Sequence, residues 1–582
     1  MKKALLSAAL SLAAIGLTQA VNPYMPLWEF IPDGEPYVFE DPDNPGQYRV
    51  YVYGSHDNLV DAYCGRDQVV WSAPVDNLND WRLDGVIFEN RHNASGHLLY
   101  PDSVGDVLYA PDVTFTTDAN GKKTYYLYPN VQHDLRAGLI AKSDRPDGPF
   151  EVCNWNPNDP DKTTGILRFD PGVFVDDDGR VYGYWGFERS YAAELDPNTM
   201  CTVKAGTPVI EDMVSGRYQD DIFHFFEASS IRKIKDKYVF IYSRWAPEGE
   251  LGLPETNYTL AYAWSNSPLG PWTYGGTIID GRGKEQLADG TWQITATPTG
   301  NTHGSICEIN GQWWVFYHRQ AGTNEYSRQA MVAAIDVDVK EGPDGYVKIS
   351  EGEFTSEGFE TDGLNPLDEH SAGIACYFVG PEPAHQEYPN VIYPGSHTEI
   401  FRIEYDGQTP AYDPSINRCY MVNNVDGSVV GYKYFDFSKT HTMKHPTLYV
   451  TNIPQGIDGT VEVWIDRPSA TTTIHKWGSD EMMPAGVKIG EFPVLAAYPQ
   501  EARTEFIPVE ALAGYDGKHA LFFVFKSDTK GESITTLTAL QFAEGFTEVQ
   551  DGKLNWIALA LGFLAGIALI AWFVKRRKSK AA

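Results

Sequence analysis

The chain has 582 residues, of which 78 are acidic and 46 basic, so its formal net charge at pH 7 is −32. A surface of this sign repels nucleic acid and anionic lipid, which excludes nucleic acid as a partner but permits a neutral one such as a polysaccharide. Aromatic residues make up 13% of the sequence, and its 53 glycines and 37 prolines are spread along it, which favours short strands and turns over a helical bundle.

The first 20 residues are typical of a secretory signal peptide. Lys2 and Lys3 precede an apolar run, and the small-residue signal that ends at Ala20 follows that run. We therefore expect residues 1–20 to be removed on export. The mature protein would then begin near Val21 and face the outside of the cell.

A pattern repeats five times at spacings of roughly 60 to 80 residues, a period typical of repeat folds. Each copy has a polar residue, alternating apolar residues, a tight turn and an aromatic strand, and Pro, Gly or Asx turns follow several copies. A unit of four short strands that occurs five times predicts a five-bladed β-propeller over residues 21–350. The polar residues that open the copies are Asp33, Asp112, Asp170, Glu227 and His303.

These polar residues are predicted to meet at one mouth of the propeller, because the first strand of each blade lines the central axis. Carboxylates that are brought together shift one another's pKa values apart, so that one can act as an acid and another as a base. A solvated turn residue is the alternative for each carboxylate, and this alternative is strongest for Asp170. For His303 the alternative is a hydrogen-bonded structural histidine.

The propeller pattern ends near residue 350. Residues 351–392 are rich in loop-forming residues and are predicted to be a linker or edge segment. Residues 393–546 contain short alternating strands, for example at 427–437, 459–468 and 517–526, which predict an antiparallel β-sandwich. Its Tyr432, Tyr434 and Trp464 are candidates for the core or for a sheet face.

The C-terminal residues predict a membrane anchor. Residues 556–574 include no charged residue and are numerous enough to cross a bilayer, and a basic cluster follows them. A buried core helix is the alternative. We expect a transmembrane helix at 555–575, a basic cytoplasmic tail at 576–582 and a cell-surface location. The predicted fold class is thus all-β, a propeller followed by a sandwich, plus a C-terminal transmembrane helix.

Residues 22–350 resemble glycoside hydrolase family 43, five-bladed propeller enzymes that remove arabinose, xylose or related sugars from plant polysaccharides. The segments that carry the resemblance are IPDGEPYVF, YAPDV, FFEASSI and NTHGSICEINGQWWVFYH. The resemblance implies that Asp33 is the general base, that Asp112 orients the acid and tunes its pKa, and that Glu227 is the general acid. The family more often has Pro after the first Asp, where this chain has Gly34, so Glu35 is the second candidate for the base.

The resemblance also implies roles near the tunnel centre. A fifth-blade histidine often accompanies a bound metal or water in this family, so His303 is a candidate calcium ligand, although the reaction requires no cofactor. Arg328 fits an arginine that follows that blade, and Asp170 is placed in the same substrate or metal vicinity. Residues 393–546 are similar to carbohydrate-binding module family 6, which is often attached to such hydrolases.

Together these features predict an inverting, exo-acting glycoside hydrolase that removes α-L-arabinofuranosyl or β-D-xylosyl residues from plant-type polysaccharides or oligosaccharides. Glu227 is expected to rest protonated, because Asp112 and the apolar Phe225 and Phe226 disfavour its charged form, while Asp33 stays ionised and activates water. A β-galactosidase of the same family is the nearest alternative. A non-catalytic surface carbohydrate-binding propeller, a retaining fructan hydrolase and a receptor-like adhesin are the others.

Overall fold

The computed structural model describes residues 21–59, 62–101, 104–382, 384–387, 390–392, 395–400, 419–473 and 481–545. Regular structure in these residues is almost entirely β-strand, so this part of the chain is all-β as predicted. The predicted signal peptide at 1–20 lies outside the described residues. The 3-10 turns that the structure describes are Glu250–Gly252, Ala372–Ile374, Phe437–Thr440 and Glu510–Gly514.

Five antiparallel sheets that follow one another along the chain form the propeller part. Four of them have four strands hydrogen-bonded in chain order, and the fifth has three, which is the pattern of propeller blades. The strands are Glu35–Glu40, Tyr48–Tyr53, Asp67–Pro74 and Arg82–Glu89 in blade 1; Asp112–Thr117, Lys123–Tyr128, Ala141–Ser143 and Glu151–Val152 in blade 2; Gly172–Val175, Val181–Trp185, Tyr191–Leu195 and Val209–Glu211 in blade 3; Phe225–Ile234, Lys237–Ala246, Thr256–Ser265 and Thr273–Asp280 in blade 4; and Ser305–Ile309, Gln312–Gln320 and Arg328–Ile335 in blade 5.

The second strand of blade 1 shows why these sequences stack as blades. Successive side chains of a strand point to opposite faces of its sheet. Val50 and Val52 pack in a cluster with Phe316 of blade 5, whereas Tyr51 packs in a cluster with Leu127 of blade 2. Both faces of the strand are therefore buried between neighbouring blades, which is why it reads as a nearly continuous apolar run.

The ring closes where the segment before blade 1 runs beside the last strand of blade 5. The Asn22 side chain donates to the Val332 carbonyl (2.6 Å) and accepts from the Val332 N–H (3.0 Å). Gly34 and Gly304 form a parallel bridge between blades 1 and 5. A Cβ atom at Gly304 would lie 1.9 Å from the Phe316 carbonyl oxygen, so only glycine permits this approach. The closure brings the start of blade 1 against the start of blade 5.

Two further antiparallel sheets form the sandwich part. Strands predicted at 427–437, 459–468 and 517–526 are confirmed. Four described strands lie inside the predicted linker, and two of them pair with sandwich strands. In sheet order the first sheet has His397–Ile400, Cys419–Asn424, Thr535–Glu544, Pro446–Pro454 and Arg503–Pro508, with His370–Ser371 paired to Thr535–Glu544; the second has Tyr377–Val379, Val429–Asp436, Lys518–Lys526, Gly459–Ile465 and Val487–Val494.

The sandwich packs against the segment that connects blades 4 and 5. Lys433 and Arg467 of the sandwich both bind the buried carboxylate of Glu285, with Lys433 Nζ at 3.0 Å and Arg467 Nε at 2.6 Å.

The remaining strands form one further sheet, which both parts share, and three hairpins. The sheet contains Glu285–Leu287, Trp292–Gln293, Thr471–Thr473 and Glu481–Met483. The hairpins are Trp155–Asn156 with Asp159–Thr163, Val337–Lys340 with Tyr346–Ile349, and His385–Glu387 with Asn390–Ile392.

The fold-class prediction is wrong on one point, the transmembrane helix. Among the described residues no helix is long and apolar enough to cross a membrane, and the longest helical segment there is the 3-10 turn Glu510–Gly514. The predicted span at 555–575 and the tail at 576–582 lie outside the described residues. The fold class is therefore corrected to its two β parts.

Candidate active site

A pocket of about 670 Å³ lies where the blades converge, and it collects most of the predicted site residues. Asp33, Asp170, Glu227, His303 and Arg328 all line it. Asp33, Asp170 and His303 each stand two residues ahead of the first strand of their blade. Residues far apart in the sequence thus share one pocket because they occupy equivalent places in different blades.

At the pocket, the backbone adopts a conformation that is rare for residues other than glycine. Asp33 (φ 61°), Asp170 (φ 49°) and Ala228 (φ 67°) are all in the left-handed region. Such residues cost on the order of 1 kcal/mol each and persist where the surrounding structure fixes them, often at functional sites. Next to Ala228, the strand pairing is irregular on both sides of Glu227, which lines the pocket.

Asp33 is a buried carboxylate that is held in its ionised form. Its Oδ1 accepts from Arg328 (3.0 Å) and its Oδ2 from the Ser55 hydroxyl (2.5 Å). Burial alone would raise the pKa of Asp33, but the positive charge of Arg328, together with the histidines nearby and the Ser55 hydrogen bond, outweighs burial and lowers it below its usual value. Asp33 is therefore a carboxylate at neutral pH.

His318 orients the backbone of Asp33. Its Nδ1 accepts from the Asp33 N–H at 3.2 Å, and its Nε2 lies 2.8 Å from the Asn301 carbonyl, to which it donates in this tautomer. Burial lowers the pKa of His318 to about 4, so the ring is neutral at physiological pH and can keep one nitrogen as an acceptor. A neutral His318 thus fixes the turn that presents Asp33.

Arg328 is fully buried and joins two carboxylates. Besides Asp33, it binds Asp57 through Nε and Nη2, each at 2.8 Å. Its guanidinium carbon also lies 5.0 Å from the ring centroid of Tyr63, another residue of the pocket wall. Because Asp57 fixes the guanidinium on one side, the remaining nitrogen is held against Asp33.

Glu227 has the opposite electrostatic environment. Its pKa is raised well above its usual value, first by burial and then by the negative charges of Asp170 and Asp33, against which Arg328 acts only in part. The apolar ring of Phe226 belongs to the same pocket wall. Glu227 is therefore protonated at neutral pH.

Asp170 lies between Glu227 and His303. It accepts from the side chain of Asn130 (2.7 Å) and from the Ala228 N–H (3.2 Å), directly beside Glu227 in the chain. Burial, partly offset by His303, raises its pKa to about 6. Asp170 is thus mostly ionised at neutral pH and contributes its charge to the pKa shift of Glu227.

The predicted role of Asp112 is corrected by its position. Asp112 is the first residue of its strand rather than two residues ahead of it, so it lies deeper along the axis and does not line the pocket. It accepts from the Tyr37 hydroxyl (2.7 Å) and the Val173 N–H (2.6 Å). Burial and the charge of Glu35 raise its pKa to about 7. The carboxylate that raises the pKa of Glu227 is Asp170, not Asp112.

Glu35, the second candidate for the base, belongs to the same deeper layer. It is also the first residue of its strand, and its Oε2 accepts from Arg232 (2.8 Å) and from Ser230 (3.1 Å). It does not line the pocket. The geometry therefore favours Asp33 over Glu35 as the group that faces a substrate.

His303 separates the pocket from this deeper layer. Its Nδ1 lies 3.7 Å from Asp170 Oδ2 and its Nε2 lies 3.9 Å from Glu35 Oε1. Both ring nitrogens and Glu35 Oε1 are buried without a hydrogen-bond partner in the described structure. Even so, no group of three or more His, Cys, Asp or Glu side chains in the described ranges is placed to hold a metal ion, so the predicted metal role of His303 is not supported there.

Several pocket residues were not identified individually in the sequence. Tyr63 lies between the second and third strands of blade 1, and Trp245 lies near the end of the second strand of blade 4. Phe187 and Arg217 also line the pocket, and no repeat or spacing in the sequence indicates them. They belong to segments outside the inner strands, so the repeat that locates the carboxylates does not reach them.

This pocket has the parts of a glycoside-cleaving enzyme. Asp33 is an ionised carboxylate and Glu227 a protonated one, and they share a pocket that is lined by aromatic rings. Cleavage of a glycosidic bond with inversion requires one carboxyl that donates a proton to the leaving oxygen and another that activates water.

Comparisons with known proteins agree with this class. The model for "Glycosyl hydrolases family 43" matches residues 41–341. A xylosidase/arabinosidase of Thermoclostridium stercorarium is 31% identical over 527 residues, which cover 87% of this chain and 96% of the relative. The chain therefore belongs to glycosyl hydrolase family 43, and the prediction of a glycosyl hydrolase is confirmed.

Other similar proteins carry related names. Xylosidase/arabinosidase 43A of Humicola insolens is 28% identical over 320 residues, which cover 46% of this chain and 84% of the relative. Among solved structures, a family 43 arabinoxylan arabinofuranohydrolase of Bacillus subtilis in complex with cellotetraose is 20% identical, with 90% of this chain and 97% of that chain covered and a TM-score of 0.40.

Proposed function

We propose that the protein is an inverting, exo-acting glycoside hydrolase that removes α-L-arabinofuranosyl or β-D-xylosyl residues from plant-type polysaccharides or oligosaccharides. The observation that carries the proposal is the pair Asp33 and Glu227, which one pocket holds in opposite protonation states. The names of the similar xylosidase/arabinosidases confirm the predicted class of activity.

In the proposed mechanism one water displaces the leaving group in a single step. Asp33 takes a proton from the water as the water oxygen bonds to the anomeric carbon. The glycosidic bond breaks at the same time, and Glu227 gives its proton to the departing oxygen. Arg328 keeps Asp33 ionised beforehand, and Asp170 helps keep Glu227 protonated. Exchange with solvent then restores both groups.

Product stereochemistry is the direct test. Purified protein is incubated with aryl α-L-arabinofuranoside, β-D-xyloside and β-D-galactoside, and the first-formed sugar is followed by proton NMR. We expect turnover of the first two substrates and a product of inverted anomeric configuration. Retention would assign one carboxyl as a nucleophile, and turnover of the galactoside alone would favour the galactosidase alternative.

The reaction as proposed needs no cofactor, because the two carboxyls supply both proton transfers. Calcium prefers six to eight oxygen ligands, and the described residues place no group of three or more His, Cys, Asp or Glu side chains to hold a metal ion. We expect dialysis against a chelator to leave turnover unchanged; loss of turnover that calcium restores would contradict this part of the proposal.

We also propose that the protein is exported, on the strength of its N-terminal sequence, and that the sandwich binds carbohydrate. N-terminal sequencing of the secreted protein tests the first point and should begin near Val21. The second rests on the exposed ring of Phe506, which packs beside the half-buried ring of Tyr449 on the adjacent strand. In affinity electrophoresis through arabinoxylan, Phe506→Ala should migrate faster than the wild type; equal migration would remove this role.

A further inference from the structure

We infer that Phe187, Arg217 and Tyr218, here called the leaving-group platform, bind the sugar chain that departs when the glycosidic bond breaks. The inference rests on the proposed function and adds the part of the site that holds the rest of the substrate. The ligand class is a neutral chain of pyranose sugars, and we expect its first two units to contact the platform.

The platform continues the aromatic wall of the pocket onto the surface. Phe187 lines the pocket and is 45% exposed, and Tyr218 is 75% exposed. The ring of Phe187 lies 4.6 Å from that of Phe169 and 5.1 Å from that of Phe226, both in the pocket wall. Exposed aromatic rings that continue a ligand pocket are typical of binding surfaces. The flat apolar faces of pyranose rings can pack on such rings while their hydroxyls stay in water.

Arg217 connects the wall to the exposed ring of Tyr218. Its guanidinium carbon lies 3.3 Å from the Trp245 ring centroid and 4.9 Å from that of Tyr218. Glu188 accepts from Arg217 Nη1 (2.8 Å) and from the Tyr218 hydroxyl (3.0 Å). A guanidinium has five N–H donors, so the bond to Glu188 leaves donors for sugar hydroxyls. Because Glu188 neutralises the charge of Arg217, a neutral chain fits this surface better than an acidic one.

The platform lies on the side of the general acid, which is why it should bind the leaving group. Phe226 immediately precedes Glu227 in the chain, and the charge of Glu188 contributes to the raised pKa of Glu227. The proton of Glu227 must go to the oxygen that departs, so the sugar on that oxygen has to leave the pocket past Glu227. Phe187, Arg217 and Tyr218 are the groups that it would meet there.

The loop that carries Phe187 is fixed before any ligand binds. The Glu188 N–H donates to the Phe226 carbonyl at 2.5 Å, and the Gly186 N–H donates to the Phe169 carbonyl at 3.0 Å. Gly186 has φ 139°, and a Cβ atom there would lie 2.0 Å from the Arg189 carbonyl oxygen, so the turn depends on glycine. A surface held in this way does not need to be ordered by the ligand, which favours binding.

The test compares substrates that differ only in the leaving group. Phe187→Ala and Tyr218→Ala are assayed on β-D-xylopyranosyl and α-L-arabinofuranosyl fluorides, whose leaving group is too small to reach the platform, and on xylotriose and arabinoxylan oligosaccharides. We expect the ratio of kcat/KM for oligosaccharide to that for fluoride to fall roughly three- to tenfold in each variant, the effect of losing one aromatic contact. Tyr48→Ala, which removes a 49% exposed tyrosine of blade 1, is the matched control and should keep the wild-type ratio.

The outcomes separate this inference from the proposed function. If the wild type hydrolyses neither fluoride nor oligosaccharide, the proposed function fails. If it hydrolyses both but the ratio in Phe187→Ala and Tyr218→Ala equals that of Tyr48→Ala, the platform is overturned and the proposed function stands. Tyr218 is so exposed that its variant should fold, so a folding defect in Phe187→Ala leaves the test intact.

Discussion

Arg328 donates to Asp33 at 3.0 Å while two further hydrogen bonds of 2.8 Å hold it to Asp57. The two carboxylates that Arg328 binds therefore have different roles. Asp57 fixes the guanidinium, and the guanidinium keeps a buried carboxylate ionised against the desolvation that would otherwise protonate it. Glu227, in the same pocket, has the two neighbouring carboxylates Asp170 and Asp33 and so keeps its proton.

The first prediction concerns Glu227→Gln and Asp33→Asn. General acid catalysis contributes roughly 10²–10⁴-fold, so Glu227→Gln should lose about that much on natural linkages, whose alkoxide leaves poorly. Activated aryl glycosides should suffer far less, because their leaving group needs little protonation. Asp33→Asn should lose activity on both, since the attacking water needs the base in either case. Steady-state kcat/KM on the two substrates measures this, and equal losses in Glu227→Gln would contradict the assignment of the acid.

The second prediction distinguishes Asp170 from Asp112. The negative charge of Asp170 raises the pKa of Glu227, and the reaction needs Glu227 protonated, so Asp170→Asn should move the alkaline limb of the kcat/KM profile to lower pH. Because the pKa of Asp170 is about 6, Asp170 is ionised where that limb falls, and its loss is felt there. The matched variant Asp112→Asn should leave the alkaline limb in place. A shift with Asp112→Asn and none with Asp170→Asn would reverse our correction.

Asp112 and Asp170 also show how far the sequence could predict this site. The repeat predicts that the polar residues opening the blades converge, and the structure does bring Asp33, Asp170, Glu227 and His303 together. The repeat does not predict how far along the central axis each residue lies. A shift of two residues along an inner strand does not change the pattern, yet it moves Asp112 out of the pocket. Arg217 and Phe187 were not predicted, since they enter the pocket from segments outside the inner strands.

The third prediction concerns Arg328→Lys and Arg328→Met. Removing the guanidinium removes the main interaction that lowers the pKa of Asp33, so the pKa should rise and the acidic limb of the profile should move to higher pH. Lys keeps the charge but cannot bind Asp33 and Asp57 together in the same planar geometry, so its shift should be smaller than that of Met. A glycosyl fluoride is the right substrate, because its departure needs no acid and the acidic limb then reports the base. An unchanged limb in Arg328→Met would show that Arg328 does not set the charge of Asp33.

The last prediction concerns Glu285, which binds Lys433 and Arg467 of the sandwich. The pKa of Glu285 is lowered to about 2, because the two cations outweigh its burial. A lowered carboxyl pKa stabilises the fold above the unfolded value of about 4.3, and this contribution is lost as pH falls toward 2. Glu285→Gln removes the carboxylate that Arg467 binds, while Lys433 keeps its second ion pair, with Glu353 at 3.1 Å. The variant should therefore lower the free energy of unfolding by about 3 kcal/mol at pH 7.

Denaturant unfolding of the wild type and Glu285→Gln at pH 7 and pH 3 measures this contribution. The difference between the two proteins should shrink at pH 3, because below about pH 4.3 the unfolded wild type binds a proton at this carboxyl while the folded protein keeps it ionised. Glu491→Gln is the matched control, since Glu491 pairs with Lys488 at 2.7 Å on an exposed sandwich strand, and it should change stability little at either pH. Equal, pH-independent losses in Glu285→Gln and Glu491→Gln would mean that the buried ion pairs do not hold the sandwich against the segment between blades 4 and 5.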